Sequence, residues 1–329
     1  MKISYVESML LRGIAILLMI WVHCFNKDKV GDTYVSLIPM LGGVSFPYIL
    51  TRLAQICVSI YCFLSGYGLY CKYPYGRSYV IRKTMVLAIQ YWIVLTIFIS
   101  IGYFWGVPYD FTWGNFFSNY LGYKTSWNST LWFLLPYIML LLASRLVIKF
   151  IKKSNYLLLC IIVLYGISCA LLKSEKTGEL EYNPLFFNLL EFFKMLFPFS
   201  IGAYCKKYEC MENHLYEKKV WIVVAALIVL SRLVIWNNFL LPFCSLAFIY
   251  LVHGSKISDQ VSSFLVYMGH KSTMLWFCHA YFIYYYLKGL VYVGKYPLFI
   301  FCLALAFSLL SAVIIGHFYN KIEKKVFNK

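Results

Sequence analysis

Residues 9–25 read MLLRGIAILLMIWVHCF, with Arg12 and His23 as the only basic side chains. A helix that crosses a bilayer needs ~20 mostly apolar residues, and this stretch is of that kind. It lacks a small-residue cleavage site, and many similar stretches follow it along the chain. The pattern therefore predicts a first membrane span that stays in the protein, and not a secretory signal peptide.

The composition of the whole chain also favours a bilayer. The 329 residues are 62% hydrophobic and only 13% charged, with a mean hydropathy of +0.71, unlike a soluble domain of this length. A net charge of +17 would suggest nucleic-acid binding in a soluble protein. Here the basic residues form short clusters between apolar stretches, which is typical of topology signals. We expect a lipid bilayer as partner and no nucleic acid.

Apolar runs of spanning length recur to the end of the chain. They indicate an all-α protein, a polytopic transmembrane helical bundle of about ten spans. The seventh and eighth runs are separated only by Asn237 and Asn238. The runs centre on residues 9–26, 48–71, 80–104, 131–150, 155–172, 185–205, 219–236, 238–253, 263–291 and 296–319.

Lysine and arginine alternate between the loops as the positive-inside rule requires. The distribution predicts that both termini are cytoplasmic, in a multi-pass protein of the plasma (inner) membrane. It also predicts a single transmembrane domain over residues 1–329. The predicted inner clusters are Lys72, Arg77, Arg82 and Lys83; Lys149, Lys152 and Lys153; Lys206, Lys207, Lys218 and Lys219; Lys256 and Lys271; and Lys321, Lys324, Lys325 and Lys329.

The 11 cysteines lie mostly within apolar runs. They form no Cys-x-x-Cys pair and no His/Cys spacing typical of a metal site. We expect them to be buried packing residues and expect no metal.

Ionisable side chains inside a span are costly, so each is a candidate for function. Arg12 and His23 are eleven positions apart, which at ~100° per residue is three turns plus about 20°, so both face one side of the helix. Their axial separation is about 16 Å at 1.5 Å per residue. The pair fits a cofactor held on one side of the membrane that reacts nearer the other. The alternative is a topology anchor and an interfacial histidine.

Glu191 is the carboxylate that lies well inside a span, at the level expected of His23. A carboxylate that orients a histidine makes it a competent general base, so Glu191 is a catalytic candidate. The alternative is an internal ion pair with Lys194 at i+3. Arg52 and Arg232 lie toward the outer side, where they either bind an anionic part of an acceptor or extend to the lipid headgroups.

Two further patterns each have two interpretations. The glycines of Ser65-Gly66-Tyr67-Gly68, before the basic cluster Arg77, Arg82 and Lys83, suit a phosphorylated cofactor or ordinary close packing of helices. Aromatic residues of the outer segments, Trp127 among them, either stack on sugar rings or form an interfacial belt.

Taken in order, these motifs resemble the acyltransferase 3 family of bacterial membrane proteins. The first span is similar to that family's Arg-x10-His signature, through Arg12 and His23. Later motifs are similar to its FLSGY, its WFL and its GxxS…WxxH near the C-terminus. They are Phe63-Leu64-Ser65-Gly66-Tyr67, Trp132-Phe133-Leu134 and Gly269-His270-Lys271-Ser272 through Trp276 to His279, with Phe197-Pro198-Phe199-Ser200-Ile201-Gly202 between the last two.

The resemblance implies an integral-membrane O-acyltransferase that takes an acyl group from cytoplasmic acyl-CoA, with acetyl-CoA as the expected donor. The acceptor would be a hydroxyl group of an extracytoplasmic surface glycan or a lipid-linked oligosaccharide. His23 would be the catalytic histidine, and Glu191 would support it. Trp127, Arg52 and Arg232 would bind the acceptor. The residues expected to bind the cofactor are Arg12, Ser65, Arg77, Arg82, Lys83, Ser272 and His279.

The chain departs from the family in two places. Some members carry Arg-x-x-Arg after the second span, where this chain has Arg77-x4-Arg82-Lys83. We expect no C-terminal SGNH-type esterase domain. The rival hypothesis is a transporter or flippase, in which the intramembrane His, Arg and Glu residues form a substrate or proton path.

Overall fold

The structure, a computed structural model, describes residues 3–27, 33–36, 44–176, 182–209, 217–235 and 237–327. It is 82% helical and has no strand among these residues, which confirms the all-α prediction. Lys329 of the predicted cytoplasmic tail lies outside them. The helices are α1 (Tyr5–Phe25), α2 (Phe46–Ala54), α3 (Cys57–Lys72), α4 (Arg77–Phe104), α5 (Trp113–Tyr120), α6 (Leu134–Lys153), α7 (Tyr156–Lys176), α8 (Pro184–Lys207), α9 (Glu217–Val234), α10 (Leu241–Gly254), α11 (Asp259–Ala280), α12 (Lys288–Val291) and α13 (Pro297–Phe327).

Within the described residues, seven helical segments are long and apolar enough to cross a membrane. They confirm a membrane-spanning helical bundle. Ile222–Val234 and Asn238–His253 are shorter apolar helices, and α11 carries polar residues along its length. The count of ten spans and the cytoplasmic termini stay predictions. The seven segments are Tyr5–Phe25, Phe46–Lys72, Arg77–Phe104, Ser129–Lys153, Tyr156–Lys176, Pro184–Lys207 and Pro297–Lys325.

Local sequence fixes where the helices that carry His23 and Glu191 begin. Ser4 precedes α1, and its hydroxyl accepts a hydrogen bond from the backbone N–H of Glu7 at 3.1 Å. Asn183 precedes α8 and its side chain accepts from two backbone N–H groups of the first turn, while Pro184 occupies the first helical position. Such side chains satisfy N–H groups that have no partner within the helix.

Glycines bring α3 and α8 into backbone contact. A Cβ atom on Gly66 would lie 1.9 Å from the carbonyl oxygen of Phe199, and one on Gly202 would lie 2.1 Å from that of Phe63. For Gly68, by contrast, no described residue lies within 4 Å of such an atom. Gly66 therefore serves helix packing, which was one of its two interpretations.

The same device joins α1 to α11. A Cβ atom on Gly13 would lie 1.9 Å from the carbonyl oxygen of Leu265, and one on Gly269 would lie 1.9 Å from that of Met9. Each helix contributes one glycine and one carbonyl group, so the contact fixes the axial position of each helix relative to the other. This contact sets the level of His23, on α1, against the residues of α11.

Seven helices bring their ends together around a cavity at one end of the bundle, here called the cavity end. The C-terminal ends of α1, α7 and α11 meet the N-terminal ends of α3, α6, α8 and α10. This arrangement requires the two groups of helices to run in opposite directions. Alternate crossing of a bilayer, as in the predicted topology, has the same requirement.

Candidate active site

The cavity measures about 370 Å³, toward the small end of the range of about 300–1,000 Å³ that is usual for small-molecule sites. Apolar and aromatic side chains such as Trp132 form much of its wall. His23, Glu191 and Lys194 also line it. The structure thus brings the two residues predicted to be catalytic into one cavity, together with a lysine.

A tyrosine that the sequence analysis missed holds His23. The hydroxyl of Tyr284 donates to the backbone carbonyl oxygen of His23 at 2.7 Å. The same hydroxyl oxygen lies 3.2 Å from Nδ1 of His23 and 3.2 Å from the side-chain amide nitrogen of Asn26. Tyr284 lies in a π-helical turn, Tyr281–Tyr285, directly after α11. Such turns often occur at functional sites.

These contacts assign the proton of the His23 ring. A phenol has one proton, and Tyr284 uses it on the carbonyl group, so its oxygen must accept from His23 Nδ1 and from Asn26. Nδ1 of His23 therefore carries the hydrogen, and Nε2 keeps its lone pair. Among the described residues, Nε2 has no hydrogen-bond partner. A neutral imidazole with a lone pair beside a cavity can act as a general base.

His279 lies beside His23, with 4.8 Å between the ring centroids. It is fully buried, and its Nδ1 donates to the carbonyl oxygen of Trp276 at 2.8 Å. Its buried Nε2 has no hydrogen-bond partner in the described part of the chain. The structure places this residue, which was predicted to bind the cofactor, next to the predicted catalytic histidine.

Glu191 is 5% exposed, and its two carboxylate oxygens each lie 2.7 Å from Nζ of Lys194. The same ammonium lies 5.7 Å from the centroid of the Trp132 ring. Within the described residues, no hydrogen bond joins Glu191 to His23. The geometry matches the ion pair that helical spacing offered as the alternative role of Glu191.

Two tyrosines of the bundle interior contact Arg12 and Ser65, both predicted to bind the cofactor, and Ser272, the third such residue, is buried on α11. The hydroxyl of Tyr61 donates to the carbonyl oxygen of Arg12 at 3.2 Å, and the side chain of Ser272 lies near that hydroxyl. Ser65 lies 2.8 Å from the carbonyl oxygen of Tyr61 and 2.8 Å from the hydroxyl of Tyr137. Nε of Arg12 is buried without a hydrogen-bond partner in the described structure.

The opposite end of the bundle, here called the basic end, comprises Lys72, Arg77, Arg82, Lys83 and Lys152. Arg77, Arg82 and Lys83 are exposed on the first turns of α4. Two of the lysines lie over the ring of Tyr79, Lys72 at 5.6 Å and Lys83 at 5.3 Å from its centroid. Lys152 lies 4.8 Å from the centroid of Tyr73. Such contacts hold a cation over an aromatic face and leave its charge uncompensated.

The two arginines predicted to bind an acceptor contact the protein itself. Arg232 is fully buried, and its guanidinium donates to the carbonyl oxygens of Asn237 at 2.7 Å and Arg52 at 3.2 Å and to the side chain of Gln55 at 3.0 Å. Arg52 donates to the carbonyl oxygen of Leu233 at 3.0 Å. Neither lines the cavity. Their contacts join α2 to the end of α9.

Trp127, the third residue predicted to bind an acceptor, is only 3% exposed. Its indole N–H donates to the carbonyl oxygen of Asp110 at 3.1 Å. Its ring packs against Tyr109, Phe111 and Phe116. It forms the centre of the aromatic segment between α4 and α6 and presents no open face for a sugar ring.

The described residues contain no group of three or more His, Cys, Asp or Glu side chains placed to hold a metal ion. His23 and His279 come together, and no third side chain of these types joins them in the part of the chain that the structure describes.

Comparison with known proteins adds one finding. The sequence profile of a family described as an acyltransferase domain matches residues 6–317, nearly the whole chain. The match includes the cavity end, the interior tyrosines and the basic end. No curated protein and no solved structure matches the chain.

Proposed function

Because the chain belongs to the acyltransferase 3 family, we propose that it transfers an acyl group from cytoplasmic acyl-CoA to a hydroxyl group outside the membrane. The donor is acetyl-CoA, and the acceptor is an extracytoplasmic surface glycan or a lipid-linked oligosaccharide. The basic end faces the cytoplasm of the plasma (inner) membrane, and the cavity end faces the opposite side.

The observation that carries the proposal is the hydrogen bonding of His23. Because Tyr284 fixes the hydrogen on Nδ1, Nε2 is the atom that takes the proton of the acceptor hydroxyl. The hydroxyl oxygen then attacks the carbonyl carbon of the thioester, the bond to sulfur breaks, and the proton passes to the departing CoA thiolate. A short-lived acyl-histidine on the same nitrogen is the second route.

The interior of the bundle supports a path for the donor. Arg12 and His23 share one face of α1, the Tyr61 hydroxyl bonds the backbone carbonyl of Arg12, and Ser65 bonds the backbone carbonyl of Tyr61. Hydroxyl groups there can bind the amide groups of a pantetheine chain. The unpartnered Nε of Arg12 offers one more hydrogen-bond donor.

The basic end supports binding of the phosphates of CoA. The sequence analysis assigned this role to Arg77, Arg82 and Lys83. The structure adds Lys72 and Lys152, whose ammonium groups lie over Tyr79 and Tyr73. Neither of these two lysines has a carboxylate within 4.0 Å in the described part of the chain, and such cations attract a polyphosphate.

The experiment that tests the proposal follows radiolabelled acetyl from acetyl-CoA into the surface glycan of native membranes. Membranes with the intact protein are compared with membranes that contain His23→Ala at equal abundance. We expect label only with the intact protein, because the variant lacks the proton acceptor. His270 is exposed in the middle of α11, away from the C-terminal end that carries His279. His270→Ala is the matched control and should transfer normally.

Transfer by His23→Ala at the normal rate would contradict the role of the histidine. Absence of label with the intact, folded protein and the native glycan would contradict acetyl transfer itself. In that case, flux of a glycan precursor across the membrane would test the transporter hypothesis.

A further inference from the structure

The ion pair of the cavity exposes its two partners unequally. The side chain of Lys194 is 26% exposed, and that of Glu191 is 6% exposed. Lys194 and Trp132 both line the cavity together with His23. Both side chains line the cavity, and that of Lys194 is the more exposed of the two.

An ammonium group has three N–H bonds, and Glu191 can accept two of them, one on each oxygen at 2.7 Å. The third N–H remains for the cavity. The bidentate contact and the nearby Trp132 ring fix the position of the nitrogen. A hydrogen-bond donor fixed in this way needs no rearrangement when charge develops next to it.

The charge of the pair indicates which kind of ligand it serves. Glu191 and Lys194 together are neutral, so the pair gives only weak attraction to a group that is anionic before the reaction. It suits a carbonyl oxygen, which is neutral when it binds and becomes negative during acyl transfer. In a cavity with a largely apolar wall, one such donor has a large effect on the rate.

We propose that Lys194 is a catalytic residue that donates a hydrogen bond to the acyl carbonyl oxygen. This inference rests on the proposed function. When the acceptor oxygen bonds to the carbonyl carbon, its proton moves to Nε2 of His23 and the carbonyl π electrons move to the oxygen. Lys194 stabilises that oxyanion without giving up a proton. The electrons return, the carbon–sulfur bond breaks, and the thiolate takes the proton from His23.

Glu191 then acts as a positioning residue for Lys194. Its two oxygens hold the ammonium, and because loss of the contact would leave a buried carboxylate uncompensated, Glu191 keeps Lys194 in place. The orienting partner of His23 is Tyr284, so the two side chains predicted to act as one unit have separate tasks. Glu191 affects the reaction through Lys194.

A purely structural pair is the competing explanation, and a double substitution separates the two. Lys194→Met alone leaves a buried, uncompensated carboxylate, which is expected to destabilise the protein whatever the role of the lysine. Glu191→Gln with Lys194→Met removes both charges and keeps the side-chain volumes similar. If the lysine only neutralises Glu191, this double variant regains full activity.

The measurement is acetyl transfer from acetyl-CoA to the endogenous glycan of native membranes, with Vmax per folded enzyme, KM for acetyl-CoA and the melting temperature of the purified protein. We expect the double variant to melt like the intact protein and to keep its KM within threefold. Its Vmax should fall by about 10²–10³-fold, as when one oxyanion donor is removed. Glu191→Gln alone, which retains the ammonium, should lose less. Lys173 is exposed on the last turn of α7. Lys173→Met should therefore leave Vmax, KM for acetyl-CoA and the melting temperature unchanged.

A double variant as active as the intact protein, or more active than Glu191→Gln alone, would overturn the proposal. If the double variant does not yield folded protein, Glu191→Gln with Lys194→Gln is tested by the same criteria. These outcomes leave the proposed function untouched, because that depends on transfer by the intact protein and its loss in His23→Ala.

Discussion

The two ends of the bundle differ in whether their charged side chains are paired with an opposite charge. At the cavity end, Glu191 and Lys194 neutralise each other at 2.7 Å. At the basic end, Lys72, Lys83 and Lys152 lie over tyrosine rings and have no carboxylate partner within 4.0 Å among the described residues. The difference indicates two kinds of recognition. The cavity end offers directed hydrogen bonds to a nearly neutral ligand, and the basic end offers net positive charge to an anion.

The glycine contacts between α3 and α8 keep the two ends in a fixed relation, and breaking them should have the largest effect. Gly66→Ala would place a methyl group 1.9 Å from the carbonyl oxygen of Phe199, so the helices must separate. We expect a loss of stability of about 3 kcal/mol, together with loss of transfer. Thermal unfolding of the purified protein in detergent measures the first, and the membrane assay measures the second.

Gly68→Ala is the matched control, because it is the same substitution two residues further along α3, where no described residue lies within 4 Å of a Cβ atom. It should be neutral or slightly stabilising, since alanine favours the helix over glycine by up to about 1 kcal/mol. Equal melting temperatures for the two variants would show that the helices do not depend on the close contact at Gly66.

Removal of the Tyr284 hydroxyl tests whether the cavity end depends on directed hydrogen bonds. Tyr284→Phe leaves the Nδ1 hydrogen of His23 without its acceptor, so the ring loses its fixed tautomer. We expect Vmax to fall by about 100-fold, or 2.7 kcal/mol, with KM for acetyl-CoA unchanged. Tyr296→Phe removes an exposed hydroxyl and should have no effect. A normal Vmax in Tyr284→Phe would remove the hydrogen-bond argument for Nε2.

The fold was largely predictable from the sequence, because membrane helices are specified by local composition. The apolar runs identified the helices, and the same-face position of Arg12 and His23 follows from the period of one helix. Hydropathy did not settle the number of spans. Asn238–His253 is apolar but short, and α11 is long but polar, so hydropathy and length do not identify either one as a membrane span.

The candidate site was predictable only where its contacts are local. The pair of Glu191 and Lys194 at i+3 follows from helical spacing, and it was recognised as the alternative role of Glu191. The contact between His23 and Tyr284 joins residues 261 positions apart, and the latter lies in a run of aromatic residues with no distinguishing pattern. The role of Arg232 stays a prediction. An ionisable residue inside a span suggested function, but carbonyl groups at neighbouring helix ends are its partners.

Neutralising the basic end should have the smallest effect and sharpens the comparison most. Lys72→Gln, Lys83→Gln and Lys152→Gln together should raise KM for acetyl-CoA about tenfold, or 1.4 kcal/mol, and leave Vmax unchanged, because these residues are far from the reacting atoms. The triple variant with arginine at the same three positions retains the charge and should keep a normal KM.

A second triple variant removes equal charge elsewhere on the predicted cytoplasmic side, at the end of α13. It combines Lys321→Gln, Lys324→Gln and Lys325→Gln. If this control raised KM as much as the first triple, general surface charge would explain the attraction. A change in Vmax instead of KM would mean that the basic end takes part in more than binding, and the division of tasks between the two ends would then be wrong.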